Sequence, residues 1–90
     1  MIPVILHQRI TVGGQNGQLC QAQELRKNYE IPIAPFPGLD IPDGSVTYVW
    51  ISKDSTVHVR LKNIDPAYPL KLSFEEIVEK QVLNGWWIAY

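Results

Sequence analysis

The stretch from 31 to 44 restricts the fold more than any other, because it holds Pro32, Pro35, Pro37 and Pro42 together with Gly38 and Gly44. Proline fixes φ and removes a backbone N–H, so prolines at this density rule out both a helix and an interior strand. The segment therefore reads as an extended Pro-rich loop, and the regular elements must lie on either side of it. Ile31, Ile33, Phe36, Leu39 and Ile41 punctuate the loop, which predicts that it packs along the body of the protein.

Neither flank of the loop can fold alone. The chain has 90 residues, and pieces of half that length bury too little surface to hold together without a metal or disulfides. Residues 1–90 are thus expected to form one compact domain, with the loop inside it. An apolar fraction of 46% with 19% charged residues belongs to a folding chain, not to a self-repelling disordered one. A chain this short leaves large side chains partly exposed or covered by a second subunit, which makes a homodimer the expected assembly.

Before the loop, Val4, Leu6, Gln8, Ile10 and Val12 alternate with Ile5, His7, Arg9 and Thr11 until Gly13 and Gly14, the pattern of a strand with one mostly apolar face. Leu19, Ala22, Leu25 and Tyr29 recur at helical spacings and predict a short amphipathic helix over 19–29. After the loop, β-branched and aromatic residues in 46–52 and 57–62 flank Lys53, Asp54, Ser55 and Thr56, the plainest hairpin in the sequence. Pro66 and Pro69 then break the chain, and Leu70 to Leu72 reads as a short strand.

Ser73 stands in capping-box relation to Glu76. Beyond it, Phe74, Ile77, Val78, Val82 and Leu83 share one helical face, and Asn84 with Gly85 supplies a left-handed stop. The stretch from Trp86 to Tyr90 reads as a last strand, with Trp86, Ile88 and Tyr90 on one face and Trp87 and Ala89 on the other. The expected fold class is α+β: a small, mostly antiparallel sheet with a central β-hairpin at 46–63, one C-terminal helix at 74–83 and a second short helix at 19–29.

Hairpin register decides which side chains share a face, since a slip of one residue turns a strand over. A loop of two or four residues sets Ser52 against Val57, sends Tyr48 and Trp50 inward with Val57, Val59 and Leu61, and leaves Val49 and Ile51 beside His58, Arg60 and Lys62. A loop of three sets Lys53 against Val57, turns Val49 and Ile51 inward, and stands Tyr48 and Trp50 beside the basic row. That second face suits stacking on bases or peptides. Three-residue loops favour a left-handed glycine, and Asp54, Ser55 and Thr56 include none, so the first register is the expected one.

Catalytic chemistry finds no motif. His7 and His58 without a cysteine cluster do not make a zinc site, and no nucleophile or carboxylate lies in a recognisable relation to either. Cys20, beside Leu19 and Ala22, reads as a small buried hydrophobe. The turn from Gly13 to Gly17 lacks the lysine and the glycine spacing of a phosphate loop, while Glu75, Glu76 and Glu79 read as helix charges. No catalytic residue, cofactor or metal ligand is assigned.

Charge and cysteine content narrow the setting. Eight basic and nine acidic residues give a formal charge of -1, which supplies no overall attraction for nucleic acid, although Lys53, Arg60 and Lys62 outweigh Asp54 in the hairpin. A single cysteine excludes an intramolecular disulfide and points to a reducing cytoplasm. The apolar start from Met1 to Leu6 lacks a basic region and soon reaches His7 and Arg9, so neither a signal peptide nor a membrane anchor is expected.

The expected function is a non-enzymatic protein-interaction or self-associating module. Its expected contact residues are Val49, Ile51, His58, Arg60, Lys62, Trp86 and Trp87, and its partner is another protein or a second copy. Two alternatives stay open: a single-stranded nucleic-acid binder using the 46–63 hairpin, and a small-molecule binder or enzyme with a pocket near the Pro-rich loop and His7 or His58.

Overall fold

A computed structural model describes residues 1–13, 19–64 and 74–89. In chain order the elements are β1 (Ile2–Gly13), β2 (Leu19–Ile31), β3 (Asp40–Ile41), β4 (Gly44–Ile51), β5 (Val57–Leu61), α1 (Phe74–Leu83) and β6 (Trp87–Ile88). The strands form one six-stranded sheet in the order β3-β4-β5-β1-β2-β6, and Phe74, Ile77 and Val78 of α1 pack against its apolar face. This is an α+β arrangement with a mixed sheet: β1 and β5 are parallel, and the other pairs are antiparallel.

The alternation in β1 sets the two faces. Val4, Leu6 and Ile10 are buried on the core side, joined by Leu25 and Ile31 from β2, Val46 from β4, and Val59 and Leu61 from β5. Gln8 shares that side, and its buried amide donates to the Lys62 carbonyl at 3.3 Å, as burial of a polar group requires. Lys27 also lies on this side, where its ammonium bonds Asp43 at 3.2 Å and sits over the buried Trp86 ring. That ion pair pins the turn between β3 and β4 to the core.

The segment 19–29, expected as a helix, is part of the long strand β2. Its helix-favouring Gln, Glu, Leu, Arg and Lys residues yield to tertiary pairing: β1 offers a ladder from Ile2↔Ile31 to Gly13↔Leu19, and strand preference follows the neighbours more than the residue. A period of two was present all along, with Leu25, Lys27, Tyr29 and Ile31 facing the core and Glu24, Arg26, Asn28 and Glu30 facing away. The centre of the sheet also differs from expectation. The β4–β5 hairpin lies to one side, and the middle of the strand order is β5 beside β1.

Hairpin register is the other correction. Ile51 opposes Val57, Val49 opposes Val59 and Trp50 opposes His58, so Trp50 stands beside the basic row and not in the core. The chain turns through Lys53, Asp54 and Ser55, closed by Ser52 N–H donating to Thr56 O at 3.0 Å and Ser55 N–H to Ser52 O at 2.9 Å. Ser55 takes the left-handed position at φ 67° that glycine usually fills. Asp54 compensates by accepting from the Ser52 hydroxyl and from Thr56 N–H, which holds its carboxyl at a pKa of about 2. A bulge at Thr47 then lets both Val46 and Val49 reach the core while Tyr48 points away.

The Pro-rich loop packs only in part: Ile31, Leu39 and Ile41 join the core, whereas Ile33 and Phe36 are each 50% exposed. Helix α1 spans 74–83 as its periodicity predicts and stops where Gly85 turns to φ 96°. The capping serine Ser73, the short strand at 70–72, the turn at 15–17 and Tyr90 lie outside the described residues.

Replacing Ser55 by glycine removes the left-handed strain and is expected to stabilise the fold by up to about 1 kcal/mol. Asp54→Ala, which strips two hydrogen bonds from the turn, should lower stability. Urea unfolding midpoints of the two variants, moving in opposite directions from the parent, check the account.

Candidate binding face

On the face opposite the core, the registers align one residue from each of five strands. Tyr48 opposes Arg60, Arg60 opposes His7, His7 opposes Arg26 and Arg26 opposes Trp87. A row of aromatic and cationic side chains therefore crosses the sheet from β4 to β6. Next to it runs Trp50, His58, Ile5 and Asn28. Side chains two residues apart on a strand share a face, so Arg9 and Glu24 belong to the same surface.

The rings form a connected group. Trp50 lies stacked on His58 with centroids 5.1 Å apart and planes 8° from parallel. It also approaches His7 at 4.8 Å and Tyr48 at 5.7 Å. His7 Nε2 and His58 Nδ1 are 2.8 Å apart, a hydrogen bond in which one ring donates and the other accepts. Glu24 Oε1 lies 3.9 Å from His7 Nδ1, which favours the proton on Nδ1 and makes Nε2 the acceptor. Packed among these neighbours, His7 is only 4% exposed although it stands on the open face.

Glu24 is the electrostatic centre of the face. Its carboxylate accepts from Arg60 at 2.7 Å and lies 3.5 Å from Arg9 Nε. Arg26 forms no ion pair among the described residues, and its charge acts on His7 across the β1–β2 ladder. Burial, then Arg26, His58 and Arg60, press the His7 pKa down from 6.5 to about 4, with Glu24 opposing them. The imidazole is therefore neutral at pH 7.

The residues expected at the contact surface divide between locations. His58 and Arg60 stand on this face, with Trp87, 40% exposed, at its far edge. Val49 lies on the opposite side against the core, and Ile51, on that same side, is 68% exposed. Trp86 is buried in the core, apart from Trp87. Lys62 follows β5 and is exposed. The helical period of their segment hides Glu24 and Arg26 from sequence reasoning, although the alternation around Leu25 carries the signal; Tyr48 and Trp50 belong here because of the register.

As a chemical assembly, the face can stack flat rings and bind anions. The hydroxyls of Ser45 and Ser52 are engaged by Asp40 and Asp54, and the contacts of the histidines are with each other, Trp50 and Glu24. Among the described residues, no group of three or more His, Cys, Asp or Glu is placed to hold a metal, and no helix is long and apolar enough to cross a membrane. An open groove of about 640 Å³ adjoins the face and shares Ile5 and Asn28 with it, its other lining residues including Pro3, Val4, Tyr29, Thr56 and Val57. Neither histidine nor any residue of the Pro-rich loop contributes to it. No protein-family model, curated protein or solved structure matches the chain.

The buried histidine makes stability depend on pH in a definite direction. Between pH 6.5 and about 4 the unfolded chain binds the His7 proton and the folded chain does not, so stability falls as pH drops through that window. The full loss amounts to roughly 3 kcal/mol; this group adds no further loss at lower pH. In urea titrations across the window, His7→Asn should flatten the profile relative to the parent. An imidazole resonance of His7 that titrates at its ordinary value would contradict the burial argument.

Proposed function

We propose that this chain is a non-enzymatic binding module that holds single-stranded nucleic acid on the open face of its sheet. The observation that carries the reading is the row Tyr48–Arg60–His7–Arg26–Trp87, flanked by the Trp50–His58 stack. Unpaired bases stack on aromatic rings irrespective of sequence, while arginines track the phosphates. Tyr48 is 60% exposed and Trp87 40% exposed at opposite sides of the row, and the cations lie between them.

Electrostatics sets the character of such binding. Glu24 engages Arg9 and Arg60, so Arg26 and Lys62 are the cations most available to phosphate. A protein with a formal charge of -1 attracts a polyanion weakly at long range. Stacking must then supply most of the affinity, and the dependence on salt should be shallow. With about two phosphates neutralised, the logarithm of the association constant should fall with the logarithm of salt concentration with a slope of about -1.4.

A labelled single strand of about 12 nucleotides, titrated with the protein and followed by fluorescence anisotropy, tests the reading. Tyr48→Ala and Trp50→Ala should each weaken binding by about 1–3 kcal/mol. Arg26→Gln should weaken it less and make the salt slope shallower by about 0.7. Val82→Ala, on the exposed side of α1, should change nothing. If the unmodified protein fails to bind the strand at low salt, or Trp50→Ala binds it equally well, the proposal is lost.

The alternative of a protein partner rests on a different surface. Ile51 is 68% exposed at the outer edge of the sheet, on the side facing away from Trp50.

A further inference from the structure

The outer edge of β4 is open over most of its length. Strand β3 pairs only with Gly44 and Ser45, and the loop before it closes the next position, where Gly38 N–H donates to Val46 O and Val46 N–H to Leu39 O, both at 2.8 Å. Among the described residues nothing pairs with the outer side of 47–51. The Ser52–Thr56 hydrogen bond sets the alternation of the hairpin ladder: Trp50 and Tyr48 direct their backbone groups toward β5, so Val49 and Ile51 direct theirs outward. The run Thr47, Tyr48, Val49, Trp50, Ile51 carries no charge and no proline, two of the devices by which sheet edges are kept from pairing.

We infer that two copies of this chain pair antiparallel along their β4 edges about a two-fold axis at Trp50, with Ile51 of each copy opposite Val49 of the other. This register uses the backbone groups that point outward, giving four main-chain hydrogen bonds in two symmetric pairs. It covers Ile51, which no element among the described residues covers, with an apolar partner. It sets the two Trp50 side chains against each other on the open face, where cross-strand aromatic pairs are favourable. The entering strand continues the line of β3, with Lys53 opposite Thr47 and next to the position where Leu39 closes on Val46 of the second copy. A second copy fits better than an unrelated strand, because the edge is self-complementary: the same two outward residues serve as both donor and acceptor sets.

Sedimentation velocity on the full chain up to about 1 mM gives the first reading, in which a concentration-dependent dimer is expected. Ile51→Lys places a charge on the edge and should leave a monomer with unchanged circular dichroism. A positive geometric signature comes from Trp50→Cys in a Cys20→Ser background. The two Trp50 positions form a non-hydrogen-bonded pair with Cα atoms about 4.5 Å apart, within disulfide reach, so oxidation should yield a cross-linked dimer. Tyr48→Cys in the same background should yield none.

A monomer throughout the concentration range overturns the inference. So does a dimer that persists in Ile51→Lys without cross-linking through position 50, since another surface then holds it. The axis passes at Trp50 of the stacking face, but the Ile51 test is separate from nucleic-acid binding, because Ile51 faces away from the stacking row. Dimerisation without oligonucleotide binding would remove the proposed ligand alone, and binding by a strict monomer would remove the edge pairing alone.

Discussion

Four residue pairs between β1 and β5, from Val4↔Val57 to His7↔Arg60, join the two ends of this protein's sheet. On one side of them is the long β1–β2 hairpin, and on the other the β4–β5 hairpin with its short edge strand. Because side chains alternate across a strand, that single register places Leu6 beside Val59 on one face and His7 beside Arg60 on the other. Leu6 and Val59 are fully buried at 0% exposure. Moving the pairing by one residue would put His7 in the core and Leu6 in water, so burial of the aliphatic set holds the polar face in place.

The open face pays for its aromatic cluster with a buried histidine. Ring contacts from Trp50 and His58 remove His7 from water, and the surrounding arginines make a second positive charge there costly. A neutral imidazole is the arrangement consistent with both effects. It leaves the Trp50–His58 stack supported from below by a hydrogen bond and not by an ion pair. Glu24 gathers Arg9 and Arg60 in the same way, so a face rich in basic residues carries only a modest net charge. Flat, stack-forming surface is what this arrangement offers in quantity.

Much of the fold was legible because local signals acted without competition. Helix α1 begins and ends at the expected residues, since its apolar period and Gly85 point to the same boundaries. Alternation in β1 is legible because Val4, Leu6 and Ile10 keep a period of two on one face, with Gln8 the single polar residue among them. In β2 two periods coexist, and the residue preferences that favour the helical one are overridden by the long edge of β1. The candidate face was less accessible still. Its members come from five strands, and they meet only when four separate registers are set.

The amino-acid sequence by itself determined a Pro-rich break, which the structure confines to 32–39 and 42–43 around the short strand β3, together with the strand-forming runs of β1, β4 and β5 and the helix α1, because each follows from φ restriction, alternation or helical period within a few neighbouring residues. Tertiary structure decided which partner each strand took and which way its side chains turned. Whether Trp50 stands on the face or in the core hung on one turn, in which Ser55 occupies a left-handed conformation that its residue type does not advertise. Asp54 makes that conformation tenable with hydrogen bonds to Ser52 and Thr56, and the burial of Val49, Val57 and Val59 against the strands beside them rewards it. Long-range apolar contact, which sequence neighbours do not encode, is the physical reason the register came out as it did.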